Sequence, residues 1–389
     1  MPLGLQADDW PIFRGPNQNG ISTETDFITE GTPKILWKAV VGLGHSSFTV
    51  ADGLAYVTGH DGENAGTVFC FDAVSGSEKW KYEYENPLDP NSYAGGTTGA
   101  VTIHNGVAYH LARRGLLSAL DAKTGELKWK THLQKDHEIK GPTWGFTGAP
   151  VPMGENLLLA AGEAGTIVKM ADGSIVSKTE KEAGYSTPYL FEKGGEKLAL
   201  VSYKTGYKCI VPATGKVYWE AKWMTRYGVN ATEPIVSGDY IFISTGYGKG
   251  ATLLKWGGPG TGDYEEVWKS RDMKNQMNAA VLVDGFLYAI DGNERHPETG
   301  IKCMEMVSGK TKWIDKSTAH GAMTVAGKHL LVVTEKGKFQ IAPVSTEGYK
   351  PTLEIQSVPG KVWTVPVLAN GIVYLRNENG HVAAIDLRK

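Results

Sequence analysis

Short apolar runs broken by tight-turn residues dominate this chain, and no long stretch sustains a helical period. SSFTVADGLAYV (46–57), TGAVTIHNGVAYH (98–110), NAAVLVDGFLYAI (278–290) and TVPVLANGIVYLR (364–376) share one form: a short strand, an Asp-Gly or Asn-Gly turn, a second strand. Such dipeptides favour two-residue hairpin turns, so each run reads as a β-hairpin. TGAPVPMGENLLL (147–159), STPYLFEKGGEKLALV (186–201), ATEPIVSGDYIFI (231–243) and GAMTVAGKHLLVV (321–333) open alike, which makes eight such hairpins.

Each hairpin is followed by a second turn and a tryptophan strand. LSALDAKTGELKWKT (117–131) is the fullest example, with VFCFDAVSGSEKWKY, KCIVPATGKVYWEA and KCMEMVSGKTKWID as variants. The turn-following tryptophans are Trp37, Trp80, Trp129, Trp219, Trp268 and Trp313, at gaps of 43, 49, 90, 49 and 45. The long gap is a double period, and KMADGSIVSK fills it with Val176 expected in the aromatic's place. A period of about 40–50 residues built of strands and turns indicates propeller blades. The expected fold class is therefore all-β: an eight-bladed β-propeller of four-stranded antiparallel blades.

The last copy stops after its third strand, and ILWKAV (35–40) precedes the first hairpin. An open ring would expose two sheet edges. Residues 35–40 are therefore expected to pair with 381–387 and close the ring. Pro150, Pro188, Pro234 and Pro366 are expected within first strands, the edges that face the channel. Cys70, Cys209 and Cys303 each precede their tryptophan by ten residues. They occupy one equivalent site in separate blades, too far apart for a disulfide, and read as buried free thiols.

Composition narrows the function classes. The 389 residues carry 40 Lys+Arg against 42 Asp+Glu, a net charge of −2, which speaks against a nucleic-acid partner. There is no apolar run long enough for a transmembrane helix. LGLQA before Asp8 is similar to the tail of a secretory signal whose charged and apolar parts Met1 replaces. The expectation is a monomeric extracytoplasmic protein, periplasmic or secreted, with its signal removed. Residues 1–7 would be the residual tail, 8–34 a leading segment, and 35–389 one propeller.

The pattern A-x-D-x-x-T-G-x-x-x-W, complete in ALDAKTGELKW, resembles the tryptophan-docking repeat of the quinoprotein superfamily. DWPIFRGPNQNGIS (9–22) is similar to the opening of secreted bacterial PQQ-like repeat proteins. The resemblance implies a ring whose six tryptophans, from Trp37 to Trp313, dock blade on blade. The superfamily includes pyrroloquinoline-quinone (PQQ) dehydrogenases and BamB-type assembly lipoproteins, so the repeat specifies scaffold more than function. The redox members resemble one another in adjacent cysteines over the quinone and in Ca²⁺ held by Glu, Asn and Asp. No two cysteines are adjacent here, and the haem-attachment motif CxxCH is absent. Asn230, Glu233, Asn278 and Asp291 offer calcium-type oxygens, but no motif fixes them.

Other motifs yield to plainer readings. GYGKGAT (246–252) and GGPGTGDY (257–264) lack the helix that a phosphate loop requires and read as turns between strands. HLQKDHE (132–138) lacks the spacing of a helical zinc site. What remains is topology. Segments entering first strands share one face with the loops joining second to third strands. That face would gather His45, Tyr93, Trp144, Tyr185, Tyr227, His320 and Trp363, with Arg113, Lys204, Asn230, Glu233, Asn278 and Arg295. For each residue the competing role is inter-blade packing. The favoured function is a non-enzymatic binding or scaffold propeller holding a polymer, peptide, carbohydrate or protein at the funnel. No cofactor is expected. The alternatives are a PQQ- and Ca²⁺-dependent oxidoreductase or a carbohydrate-active enzyme at the same place.

Overall fold

The computed structural model describes residues 8–89, 94–293 and 296–389, and among them strands are joined by turns with no helix. Eight antiparallel sheets form a ring. Blades 1 to 7 comprise residues 49–85, 102–132, 151–177, 189–222, 235–270, 281–315 and 322–356. Blade 8 takes three strands from 367–386 and its outermost from Lys34–Val40, which pairs antiparallel with His381–Asp386. The closure expected from the truncated last repeat is therefore observed. Blade 7 gains a fifth, parallel strand, Ile21–Ser22, on its innermost edge.

Docking of tryptophans fastens blade to blade. Trp37, Trp80, Trp129 and Trp268 each lie over the third-to-fourth-strand turn of the following blade. Their indole N–H groups donate to the carbonyls of Ala73, Ala122, Met170 and Met306 at 2.8–3.1 Å. Trp313 donates to Ser345 in the same manner. A Cβ on Gly76, Gly125 or Gly173 would come within 2.4–2.6 Å of an indole, so glycine is required for close approach as well as for its positive φ. Trp219 meets instead the long 257–264 loop of blade 5, its ring against Trp256 and Tyr264.

The register corrects one expectation. A β-bulge precedes every docking tryptophan, so Cys70 pairs with Trp80, Cys209 with Trp219 and Cys303 with Trp313. In blade 3 the same bulge places Ser177, not Val176, opposite Ile167 in the docking position. Val176 is the extra, outward residue. No ring covers the next turn, and a Cβ on Gly215 would meet nothing within 4 Å. All three cysteines are buried free thiols, and burial raises the pKa of Cys70 and Cys209 to about 12. The four prolines also shift by one: each stands immediately before its first strand, which begins at Val151, Tyr189, Ile235 or Val367. There the carbonyls of Pro150 and Pro366 accept bonds from Thr102 and Thr324 of the preceding blade.

The leading segment crosses the channel on the side of the first hairpin turns. Trp10 is 1% exposed and exchanges backbone bonds with Val50. Pro11 accepts from Ile103, and Gln18 donates to Pro188. The buried Arg14 guanidinium donates to the carbonyls of Gln18, Asn19, Ala279 and Ala280 at 2.9–3.2 Å. One short stretch thus ties blades 1, 2, 4, 6 and 7 together. Farther on, the Glu24 carboxylate accepts the Gly371 N–H at 2.6 Å in blade 8.

Ser177→Trp should dock on the Gly215 turn. Pro212 stands three residues before that glycine, where the other turns present the carbonyl that accepts the indole N–H. The substitution should stabilise by about 1 kcal/mol. A thermal melt raised by ~2 °C would agree, and an unchanged or lowered one would contradict the docking geometry. Burial, with Asp8 adding, raises the Glu24 pKa to about 7. Its favourable contribution therefore holds below the ordinary carboxylate range and fades as pH rises through 7. Glu24→Gln should match the parent's melting at about pH 4 and exceed it by ~2 °C at about pH 8.

Candidate functional site

The segments that enter the first strands of seven blades, all but blade 7, line a cavity of about 450 Å³. Phe13, carried by the leading segment, also lines it. The entering segments bring seven of the expected residues into its wall: His45, Trp144, Tyr185, Tyr227, Glu233, Asn278 and Trp363. Four go elsewhere. Arg113 is buried, packs under Gly145 and reaches Asp89 at 3.6 Å. Lys204 pairs with Glu182 at 2.8 Å. The Asn230 amide donates to the carbonyls of Tyr203 and Trp223, fastening the chain behind the wall. His320 stands edge-on behind Trp363. Tyr93 and Arg295 lie outside the described residues.

Sequence reasoning missed Phe13, Tyr247, Gln276 and the hydroxyls of Ser47, Thr98, Thr147, Thr187 and Thr364. Tyr247 had a usable signal, since it sits at the tip of a loop assigned to the funnel. Phe13 had none, because the repeat says nothing of what crosses beneath it.

The wall has two aromatic sides. On one, Trp144 stands edge-to-face with Tyr185 and Tyr227, with centroids 5.9 and 6.5 Å apart, and Tyr227 meets Tyr247 at 5.5 Å. On the other, His45 stacks on Trp363 at 5.1 Å, with Lys361 4.0 Å above that ring. Burial first, then Arg376, Lys361 and Arg113, lower the His45 pKa to about 3, so it is neutral near pH 7. Glu233 is only 6% exposed. One of its oxygens accepts the Thr187 N–H at 2.9 Å, and the other has no hydrogen-bond partner among the described residues. Burial raises its pKa, against the opposing field of Arg14.

These residues do not fit a calcium-bound quinone. PQQ is a polycarboxylate, yet among the described residues no Lys or Arg lines the cavity to meet its carboxylates. The cysteines pair with docking tryptophans far from the wall. Of the four calcium-type candidates only Glu233 and Asn278 meet at the cavity. Asn230 is turned away, and Asp291 is ion-paired with Lys302 in blade 6. Among the described residues no group of three or more His, Cys, Asp or Glu is placed to hold a metal.

Burial separates the two tryptophans. Trp144 is half-buried, whereas Trp363 is 8% exposed and enclosed by His45, His320 and Lys361. Trp144→Ala should cost within about 1 kcal/mol, and Trp363→Ala about 3–5 kcal/mol. Denaturant melts measure both, and equal losses would show that Trp144 is core.

Comparison with known proteins places this architecture. The family profile described as "Outer membrane protein assembly factor BamB" matches residues 27–180 and 66–315. The quinohemoprotein alcohol dehydrogenase ADH-IIG of Pseudomonas putida is 30% identical over 139 residues, which is 34% of this chain and 18% of that enzyme. Among solved structures, BamB from Moraxella catarrhalis superposes with a TM-score of 0.66 at 14% identity, covering 92% of this chain and 100% of that one. A europium-containing methanol dehydrogenase gives 0.70 at 12% identity, covering 97% of this chain and 89% of that one. At these identities the structures share the fold alone. With the profile covering well over half its length, the chain belongs to the family of the outer membrane protein assembly factor BamB.

Proposed function

We propose that this protein is a non-enzymatic binding propeller of the extracytoplasmic envelope, whose funnel receives a segment of a protein partner. The observation that carries this reading is the cavity itself: aromatic on two sides, with Phe13 of the leading segment in its lining and a single carboxyl among the described residues of its wall. Large aromatic surface with a few polar groups is the composition of a binding site. Hydrolysis of a glycoside ordinarily uses two carboxyl groups facing one bond. Here Glu233 faces neutral side chains, and His45 is too weakly basic to carry a proton near pH 7. A bound quinone would need cations that the wall does not supply. The family's description as an outer membrane assembly factor supports both a protein partner and an extracytoplasmic site.

Photocrosslinking tests the reading. With p-benzoylphenylalanine in place of Tyr227, which is 50% exposed, irradiation of cells expressing the protein should give a discrete adduct. The same group in place of Val307, which is 49% exposed on the third-to-fourth-strand turn of blade 6, should give none. Adducts at neither position, or equally at both, would contradict a funnel partner. In parallel, PQQ added with Ca²⁺ should show no saturable absorbance change. A stoichiometric change with alcohol oxidation would establish the oxidoreductase instead.

A further inference from the structure

The lip of the funnel over blades 4 and 5 has a charge pattern that the fold does not explain. Lys249 and Lys269 both lie over the buried Trp223 ring, at 4.6 and 5.2 Å. Burial, then Lys269 and Arg271, lower the Lys249 pKa. These cations therefore crowd one another, an arrangement that disfavours the native state. Glu266 reaches Lys269 at 3.5 Å, but Arg226, Lys249 and Arg271 have no carboxylate partner among the described residues. Arg226 lies 5.3 Å over the Tyr227 ring.

The cations border exposed apolar surface that continues into the cavity. Met224 is 66% exposed and follows Trp223 directly; Tyr227 is half exposed and lines the cavity with Tyr247, two residues before Lys249. Arginine, tyrosine and methionine are the side chains enriched at protein interfaces. A patch of one sign beside an apolar pocket selects a partner of the opposite sign and accelerates its encounter.

We propose that the funnel lip is a docking surface for an acidic peptide segment of the partner, with an aromatic side chain inserted into the cavity as its anchor. This rests on the binding reading above and adds the chemistry of what is bound. Carboxylates of the segment would lie along Arg226, Lys249 and Arg271 and relieve their mutual repulsion. The anchor would enter between Trp144 and Trp363, where the described wall offers rings, hydroxyls and amides but no lysine or arginine. The charges that recognise the segment are thus all on the lip, and the aromatic contacts are inside.

The test uses the full chain and two fluorescein-labelled peptides of about twelve residues, a length of chain that can span the funnel mouth. One carries a central Trp flanked by Asp and Glu; in the other Asn and Gln replace every acid. By fluorescence anisotropy the acidic peptide should bind at least about tenfold tighter than the neutral one, and the preference should vanish between about 50 mM and about 500 mM NaCl. Lys249→Glu with Arg271→Glu should lose at least about tenfold in affinity for the acidic peptide at a melting temperature no lower than the parent's. Lys249→Gln with Arg271→Gln should fall between, which guards against a folding defect in the reversed pair. Trp144→Ala should weaken both peptides alike. Equal binding of the two peptides, or binding of neither, would overturn the acidic-segment assignment. The binding reading stands or falls separately, on the Tyr227 crosslink.

Discussion

A chain that folds into a ring must fasten its last element to its first, and here one short stretch of sequence does this twice. Lys34–Val40 completes blade 8 by pairing with the strand before the chain's end. Farther upstream, residues 9–22 cross the channel and are held by Arg14, whose guanidinium donates hydrogen bonds to four backbone carbonyls. Burying a charge is tolerable only when its donors are satisfied, and Arg14 meets that condition with two carbonyls of its own segment, Gln18 and Asn19, and two remote ones, Ala279 and Ala280. The presence of Phe13 in the cavity lining and the field felt by Glu233 both go with that placement. Arg376 performs a related task at the seam between blades 8 and 1, donating to Ser46 and to the carbonyls of Thr58 and Gly42.

The repeat was legible because its signals are local. Turn glycines, the tryptophan four residues beyond them and the hairpin dipeptides each act within one blade, so the number of blades and the closing strand could be counted from the sequence. The error at Val176 has the same origin. A bulge inserts one residue that spacing between apolar positions does not reveal, and a step of four from Gly173 to Ser177 would have found the right position.

The site was only partly legible. Entering segments do line the funnel, which is why Trp144, Tyr185, Tyr227 and Trp363 were found. Whether a residue on such a segment faces the channel or the neighbouring blade depends on a local twist that the sequence leaves open, so Asn230 and His320 were grouped with Glu233 and Trp363 although they point behind the wall. Phe13 and Arg14 were invisible for a different reason: their contacts join remote parts of the chain and leave no period.

The bare glycine turn of blade 4 also bears on how the molecule moves. Where Trp37, Trp80, Trp129, Trp268 or Trp313 bridges two blades, sliding one past the other must break a hydrogen bond and expose an indole. Between blades 3 and 4 Ser177 makes no such tie, and that joint is held instead by the Thr147 hydroxyl donating to the Tyr185 carbonyl and by the Ala149 N–H donating to the Thr187 hydroxyl. The Trp144–Tyr185 contact spans the same joint, carried on the segments that lead into blades 3 and 4. The one joint of the first four that lacks an indole tie is therefore spanned at the funnel by an aromatic pair instead.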